Sequence, residues 1–114
     1  MLRDHPLAIS HREGSSPSTR ITTLTGPVTL PNLFQLQDEL RNGELPSAII
    51  LDLTGVPYMD SAGIGAIINY FVHLKKRDVK LTVVGVNGRV VELFRLTGAN
   101  TVIPMAATVE EAQA

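Results

Sequence analysis

The segment PYMDSAGIGAII, residues 57–68, holds the residue types best suited to chemistry in this chain. Ser61 directly follows Asp60, and Gly63 and Gly65 lie just beyond it at the start of an isoleucine-rich stretch. A serine in this setting fits four roles: a helix cap, a catalytic nucleophile, part of a phosphate-binding loop, or a residue that is itself phosphorylated. The residues around Ser61 support some of these roles and argue against others.

A helix cap accounts for the Asp60-Ser61 pair, because both residue types accept hydrogen bonds from the first N–H groups of a helix. The cap does not account for the two glycines. Each glycine costs a helix about 1 kcal/mol relative to alanine. Gly63 and Gly65 in the first turns therefore indicate that another group approaches the backbone closely.

A catalytic Ser61 would need an activating base and a sharp turn that exposes it. Met59 stands where a nucleophile elbow has its first glycine. His5 and His11 lie far away in the N-terminal segment, and His73 is about three turns along the same helix. None of these histidines is placed by the sequence to activate Ser61, so a catalytic role for this serine has little support.

A nucleotide cradle is also poorly supported. Gly63 and Gly65 begin a dinucleotide fingerprint, but Ile68 occupies the position of its third glycine. The chain has no Gly-Lys-Ser/Thr phosphate-binding loop, and no constellation of metal ligands is apparent. We therefore expect neither a cofactor nor a metal.

Phosphorylation of Ser61 is the fourth reading. A serine flanked by small residues at an exposed helix start can enter the active site of another protein. Phosphate adds about 1.5–2 negative charges, which the N–H groups of a helix start tolerate. A docked apolar or acidic partner surface would not tolerate them, so phosphorylation would release the partner and leave the fold intact.

The elements that position this segment follow from the apolar spacing. Continuous apolar runs at 47–53 and 80–86 are typical of strands buried on both faces, as in parallel sheets. The full pattern, β-β-α-β-α-β-α-β-α, predicts a single α/β domain over 1–114 with a mixed, mostly parallel β-sheet. Strands are expected at 6–13, 19–26, 47–53, 80–86 and 101–104, the first two forming a hairpin, and helices at 31–43, 61–76, 87–98 and 108–114.

The helix ends carry their own signals. Asn87 is expected to cap the helix 87–98 and Gly98 to end it, and Thr108 and Glu111 have the spacing of a capping box. In helix 31–43 the apolar face has Phe34 beside Leu33, Leu36 and Leu40.

Loops 26–29, 56–60 and 85–88 would all leave the carboxyl ends of parallel strands, where open α/β sheets carry their sites. Thr29 and Asn87 would then join Ser61 at one edge. Within helix 61–76, we expect Ile67 and Phe71 to be buried. Ile64, nearest the exposed end, is expected to be partly available to a partner.

Composition narrows the class of protein. A formal net charge of −1 gives no electrostatic case for nucleic-acid binding. The chain has no cysteine, which excludes disulfides and thiolate catalysis. The start lacks the apolar core of a signal peptide, and no apolar run has membrane-spanning length. We therefore expect a cytoplasmic protein that binds neither nucleic acid nor membrane.

The stretch AIILDLTGVPYMDSAGIGAI resembles the signature of STAS domains, specifically the bacterial anti-sigma-factor antagonists. That signature is a hydrophobic strand ending in Asp-Leu-Ser/Thr-x-Val, followed by Asp-Ser, a small residue and Gly-hydrophobic-Gly. The second half, through the helix that ends in Leu-Thr-Gly, is also similar to the family. The resemblance covers residues 7–113.

The resemblance implies a binding protein that is not an enzyme. Ser61 would be phosphorylated by a partner anti-sigma factor that is a serine kinase. The unphosphorylated chain would hold that kinase and free a sigma factor for transcription, and a phosphatase acting on Ser61 would reset the switch. The expected partner-binding residues are Met59, Asp60, Ala62, Gly63, Ile64, Gly65, Thr29 and Asn87.

One position departs from the family pattern. The strand before the first helix often ends in Gly-x-Leu-Asp, whereas this chain reads Gly26-Pro27-Val28-Thr29. Thr29 thus stands where the family often has an acidic contact. An alternative within the same fold is a STAS subunit of a lipid-transporting ABC complex, which would have no phosphorylation cycle.

Overall fold

A computed structural model describes residues 6–113 of the chain, so His5 and the last residue of the predicted C-terminal helix lie outside the described residues. None of the helices in the described part combines the length and apolar character needed to cross a membrane. Two short 3-10 turns, Leu30–Asn32 and Ala99–Thr101, accompany the main elements. The strands are β1 Ala8–Glu13, β2 Thr19–Thr25, β3 Ala48–Gly55, β4 Lys80–Val84 and β5 Met105–Ala106; the helices are α1 Leu33–Leu40, α2 Ser61–Lys75, α3 Gly88–Thr97 and α4 Val109–Gln113.

The five strands form one sheet in the order β1-β2-β3-β4-β5. β1 and β2 form the predicted antiparallel hairpin, and each later strand pairs in parallel with the one before it. This arrangement confirms the predicted mixed, mostly parallel sheet. It also places the loops after β2, β3 and β4 at the same edge.

Alternating side chains along the strands build cores on both faces of the sheet. Ile49 and Leu51 of β3 belong to the larger core, which includes buried residues of α1, α2 and α3. Ile50, between them, points to the opposite face and joins a smaller cluster with Val109 of α4. Burial on both sides explains why β3 reads as an almost continuous apolar run.

The helix ends follow the predicted chemistry. The Asn87 side chain accepts a hydrogen bond from the Val90 N–H at 2.9 Å, and so caps α3. Gly98 ends α3 with φ of 77°, a left-handed conformation that glycine adopts without steric cost. At α4, the Thr108 hydroxyl accepts from the Glu111 N–H, while the Glu111 carboxylate accepts from the Ala107 N–H. This is close to the predicted capping box.

The predicted last strand at 101–104 is wrong. Thr101 ends a 3-10 turn, and the strand that joins the sheet is Met105–Ala106, paired with Val83 and Val84. Of the apolar residues in the predicted segment, Ile103 is buried in the core, whereas Val102 is 58% exposed. A short apolar run can come from a strand or from a buried turn, and the sequence pattern alone does not distinguish the two.

Burial along α2 also differs from expectation. Ile67 is fully buried as predicted, but Ile64 is 3% exposed and therefore unavailable to a partner. Phe71 is only partly buried, and Lys75 lies over its ring at 5.7 Å. Tyr70 takes the buried place instead. The buried face of α2 therefore keeps Ile67 and Leu74 of the predicted stripe but extends toward Tyr70 and away from Phe71.

The buried hydroxyl of Tyr70 makes no hydrogen bond within the described residues. Burial raises the pKa of Tyr70 above its ordinary value of 10.0, and the neighbouring Arg20 guanidinium opposes the shift. Arg20 is held in part by the Glu44 carbonyl, to which its Nη1 donates at 3.1 Å. A neutral phenol is therefore favoured in the folded state.

We expect this hydroxyl to make the fold sensitive to alkali. Because the folded-state pKa is raised, the stability it contributes is full below pH 10.0 and is lost as pH rises through the folded-state pKa. Tyr70→Phe should match or exceed wild type at neutral pH by up to about 1 kcal/mol, since it removes an unpaired buried group. Urea unfolding at neutral and strongly alkaline pH measures both effects. An equal loss of stability at alkaline pH in the two proteins would contradict the assignment.

Candidate functional site

Two of the three edge loops are joined through their backbones. The Val28 N–H donates to the Tyr58 carbonyl, and the Asp60 N–H donates to the Val28 carbonyl, both at 3.2 Å. Val28 and Met59 thereby form an isolated parallel bridge. The loop after β2 therefore supports the segment that leads into α2.

The Asp60 carboxylate locks this junction with both of its oxygens. Oδ1 accepts from the Gly63 N–H at 2.9 Å and caps α2. Oδ2 accepts from the Leu30 N–H at 3.0 Å, in the turn before α1. One side chain thus fixes the starts of two helices. Sequence reasoning foresaw the cap but not the second contact.

Ser61 is the first residue of α2 and is exposed. Its hydroxyl makes no hydrogen bond within residues 6–113, and neither do the N–H groups of Ser61 and Ala62. The cap is supplied by Asp60, which leaves Ser61 free of any structural duty in the described part of the chain. The first-turn N–H groups of a helix favour negative charge nearby.

The two glycines of the motif have different surroundings. A Cβ on Gly63 would meet the Val28 carbonyl oxygen far inside van der Waals contact, so Gly63 is needed for α2 to pack on the loop after β2. A Cβ on Gly65 would have nothing within 4 Å. The close approach inferred from sequence is therefore internal at Gly63. No group of the chain comes close to Gly65, so the fold does not explain why this position is glycine.

Asn87 connects the third loop to the other two. Besides capping α3, its Nδ2 donates to the carbonyls of Val56 and Pro57 at 3.2 and 3.1 Å. Nearby, the Arg89 guanidinium lies 5.3 Å from the centre of the Tyr58 ring. Three loops are thus held in one platform around Ser61.

The Asp-Leu-Thr part of the motif shapes the end of β3. Asp52 Oδ1 accepts from the Thr54 N–H at 3.0 Å and from its hydroxyl at 2.6 Å. A side chain on Gly85 would collide with the Thr54 hydroxyl, so Gly85, at φ of 77°, lets the loop after β4 pass close to β3. These residues therefore have structural reasons for their identities.

The remaining predicted site residues lie around Ser61 with different access. Met59 is half-buried and packs against the main core. Ala62 and Thr29 are half-buried at the edge, whereas Gly63 and Ile64 face inward. Within the predicted set, Ser61 and Asn87 are exposed and Thr29, Ala62 and Gly65 are partly exposed. Their role in binding stays a prediction.

Two apolar side chains that sequence reasoning left out also project from this edge. Leu30 is 64% exposed and Phe34 is 89% exposed. Leu30 is joined to Asp60 through its N–H, and Phe34 follows it by four residues at the start of α1. The sequence placed Phe34 beside the buried leucines of α1. The available signal was its spacing: Phe34 lies two residues before the buried Leu36, and about 100° of rotation per residue turns it to the other side of α1.

The STAS domain family model matches residues 14–112. The chain belongs to the STAS domain family. An anti-sigma-B factor antagonist from Listeria monocytogenes is 34% identical over 71 residues, which cover 60% of this chain and 62% of that relative. The matched segment therefore spans less than two thirds of the relative's own length.

Solved structures share the STAS fold with this chain. An anti-sigma factor antagonist from Mycobacterium paratuberculosis superposes with a TM-score of 0.83 at 17% identity, covering 94% of this chain and 91% of that one. The anti-sigma factor antagonist SpoIIAA in its unphosphorylated form gives 0.72 at 21% identity, with 92% of each chain covered. At these identities the likeness establishes the fold alone.

The contrast between Gly63 and Gly65 yields a paired prediction. Gly63→Ala should lower the free energy of unfolding by about 1–3 kcal/mol, because its methyl group must displace the Val28 backbone. Gly65→Ala should raise it by about 0.5–1 kcal/mol, because alanine favours the helix and meets no neighbour. Urea unfolding of both variants measures the difference. Equal effects of the two substitutions would contradict the described packing.

Proposed function

We propose that this chain is an anti-sigma-factor antagonist, a binding module that is switched by phosphorylation of Ser61. In this proposal the unphosphorylated chain sequesters an anti-sigma factor that is a serine kinase, and so regulates transcription in the cytoplasm. The kinase phosphorylates Ser61 and releases the chain, and a phosphatase restores binding. Chemistry on Ser61 belongs to these partners, and the chain itself is not an enzyme.

The observation that carries the proposal is the free, exposed Ser61 hydroxyl on a rigid platform. Asp60 caps α2 in its place, so a kinase can take the hydroxyl without disturbing a structural hydrogen bond. The relationship to curated anti-sigma-B factor antagonists supports the same function. An accidental surface serine would not need a platform of three interlocked loops.

The same geometry explains how phosphate would act. The added charge of about −1.5 to −2 lies beside the unused N–H groups of Ser61 and Ala62 and at the positive end of the α2 dipole. The isolated fold therefore accommodates it. A partner seated over Ser61 excludes water and brings its own surface against the phosphate, so binding is lost while folding is kept.

The partner surface in this proposal extends from Ser61 onto Leu30 and Phe34. Their exposed apolar side chains share the platform through the Leu30 N–H···Asp60 contact. Gly65 lies on the other side of Ser61, one turn into α2, and leaves room for close approach. Exposed aromatic residues commonly supply much of the binding energy of an interface. Phosphorylation would thus act at one side of an apolar anchor.

Ser61→Ala should fold normally, bind the anti-sigma factor kinase and resist release by ATP. It removes the phosphate acceptor but not the cap, so the free energy of unfolding should change by less than about 0.5 kcal/mol. Ser61→Asp should also fold, because a carboxylate is favoured at a helix start. It should bind more weakly, since its charge faces the partner. Intact mass after incubation with a candidate kinase and ATP, followed by a binding titration, measures both variants.

Thr54→Val is a matched control, because Thr54 is the exposed hydroxyl residue at the end of the preceding strand. It should still accept phosphate on Ser61. Phosphate on Thr54 with Ser61 unmodified would overturn the site. No transfer from any candidate kinase, together with stable capture by a transporter ATPase, would replace the function with that of a transporter subunit.

Phe34→Ala should weaken binding to the kinase by about tenfold or more, as expected for an aromatic anchor. The free energy of unfolding should change little, because Phe34 is 89% exposed. Leu96→Ala is the matched control, since Leu96 is 68% exposed on α3. Calorimetric titration compares the two variants. Equal affinities of Phe34→Ala and wild type would remove the α1 side from the interface without affecting the role of Ser61.

A further inference from the structure

A basic groove lies between the C-terminal ends of α1 and α2. It has a volume of about 390 Å³ and is lined by Arg41, Asn69, Val72, His73, Lys76 and Arg77. Its lining contains no carboxylate. The linear sequence hides this cluster, because Arg41 is brought to the HLKKR segment only by the packing of α1 on α2.

The positive charges of the groove are not neutralised within the described residues. Arg41, Lys76 and Arg77 form no ion pair there, although Asp38 and Asp78 are near in sequence. Burial lowers the pKa of His73 from its ordinary value, and the charges of Arg77, Arg41 and Lys76 lower it further. Cations from both helix ends therefore act on the His73 imidazole.

Compensation of the helix dipoles explains only part of this cluster. Cations are favoured at helix C-termini, and Arg77 fills that role by donating from Nη1 to the His73 carbonyl at 3.1 Å. The side chains of Arg41 and Lys76 make no hydrogen bond within residues 6–113. Both remain available to an external anion.

We propose that this groove binds a small ligand that carries a diphosphate group. Arginine guanidinium groups bind phosphate oxygens in pairs, and lysine adds a compact positive charge. A single anionic charge would leave two of the three permanent cations, Arg41, Lys76 and Arg77, without a counter-charge, whereas a diphosphate balances more of them. The groove volume lies at the lower end of small-molecule sites, about 300–1,000 Å³.

The site is separate from Ser61. The two lie at opposite ends of the 15-residue α2, roughly 20 Å apart along the helix. A ligand in the groove therefore leaves the Ser61 platform uncovered. This inference does not rest on the proposed function, and either one can fail without the other.

Titration of the chain with inorganic pyrophosphate tests the site. Binding should saturate with a dissociation constant of about 1 mM or lower near 50 mM salt, and should weaken by about tenfold near 300 mM. Amide NMR shifts should be largest at Asn69, His73 and Lys76. The pKa of the His73 imidazole should rise when pyrophosphate is bound, because the anion offsets the surrounding cations.

Charge-matched variants separate the groove from general electrostatics. Arg41→Gln with Lys76→Gln should weaken pyrophosphate binding by about tenfold or more. Arg12→Gln with Lys80→Gln removes the same charge outside the groove and should weaken it by less than about twofold. Equal weakening in both pairs, or no saturable binding, would overturn the proposal. Binding of a hexaglutamate peptide in place of pyrophosphate would also overturn it, because the ligand would then be an acidic segment of a protein.

Discussion

The two hydrogen bonds accepted by the Asp60 carboxylate are the constraint on which the edge of the sheet around Ser61 depends. One oxygen holds the Gly63 N–H and starts α2, and the other holds the Leu30 N–H and fixes the turn before α1. Charge-assisted bonds of this kind are stronger than neutral ones. Without them, two helix starts and the loop after β2 would lose their common anchor.

The rest of the edge reinforces this anchor at close range. Gly63 lets α2 approach the Val28 carbonyl, and Asn87 binds two carbonyls of the segment that leads to Asp60. The platform is therefore preorganised, which would lower the entropic cost of the proposed partner binding.

Strong local signals made much of this predictable. The buried run of β3 and the helical spacing of α2 identified a parallel strand and its crossover, and Asn87 and Gly98 marked the ends of α3 correctly. The burial of Tyr70 in place of Phe71 was not predictable, because the two aromatic residues are adjacent and the more polar one is buried. Which one turns inward depends on the sheet beneath, and no local pattern encodes that.

The edge residues show the same limit. Asp60 was recognisable as a cap, but its bond to Leu30 joins residues 30 apart in the chain and depends on the packing of two loops. The exposure of Phe34 likewise depends on how α1 sits on the sheet. Periodicity within one helix places a residue near a face, whereas its final access to solvent is decided by neighbours from elsewhere in the chain.

Asp60 has a structural role and Ser61 has none within the described residues, and this difference has a consequence for how the two positions evolve. The fold uses the side chain at position 60 and the absence of one at position 63, but within the described residues it makes no use of the hydroxyl at position 61. Under the proposed function, selection for stability would act on the flanking positions and leave the serine to selection for signalling. A lineage could then lose or regain the proposed phosphate acceptor by one codon change, and the contacts of Asp60 and Gly63 that support the fold would stay in place either way.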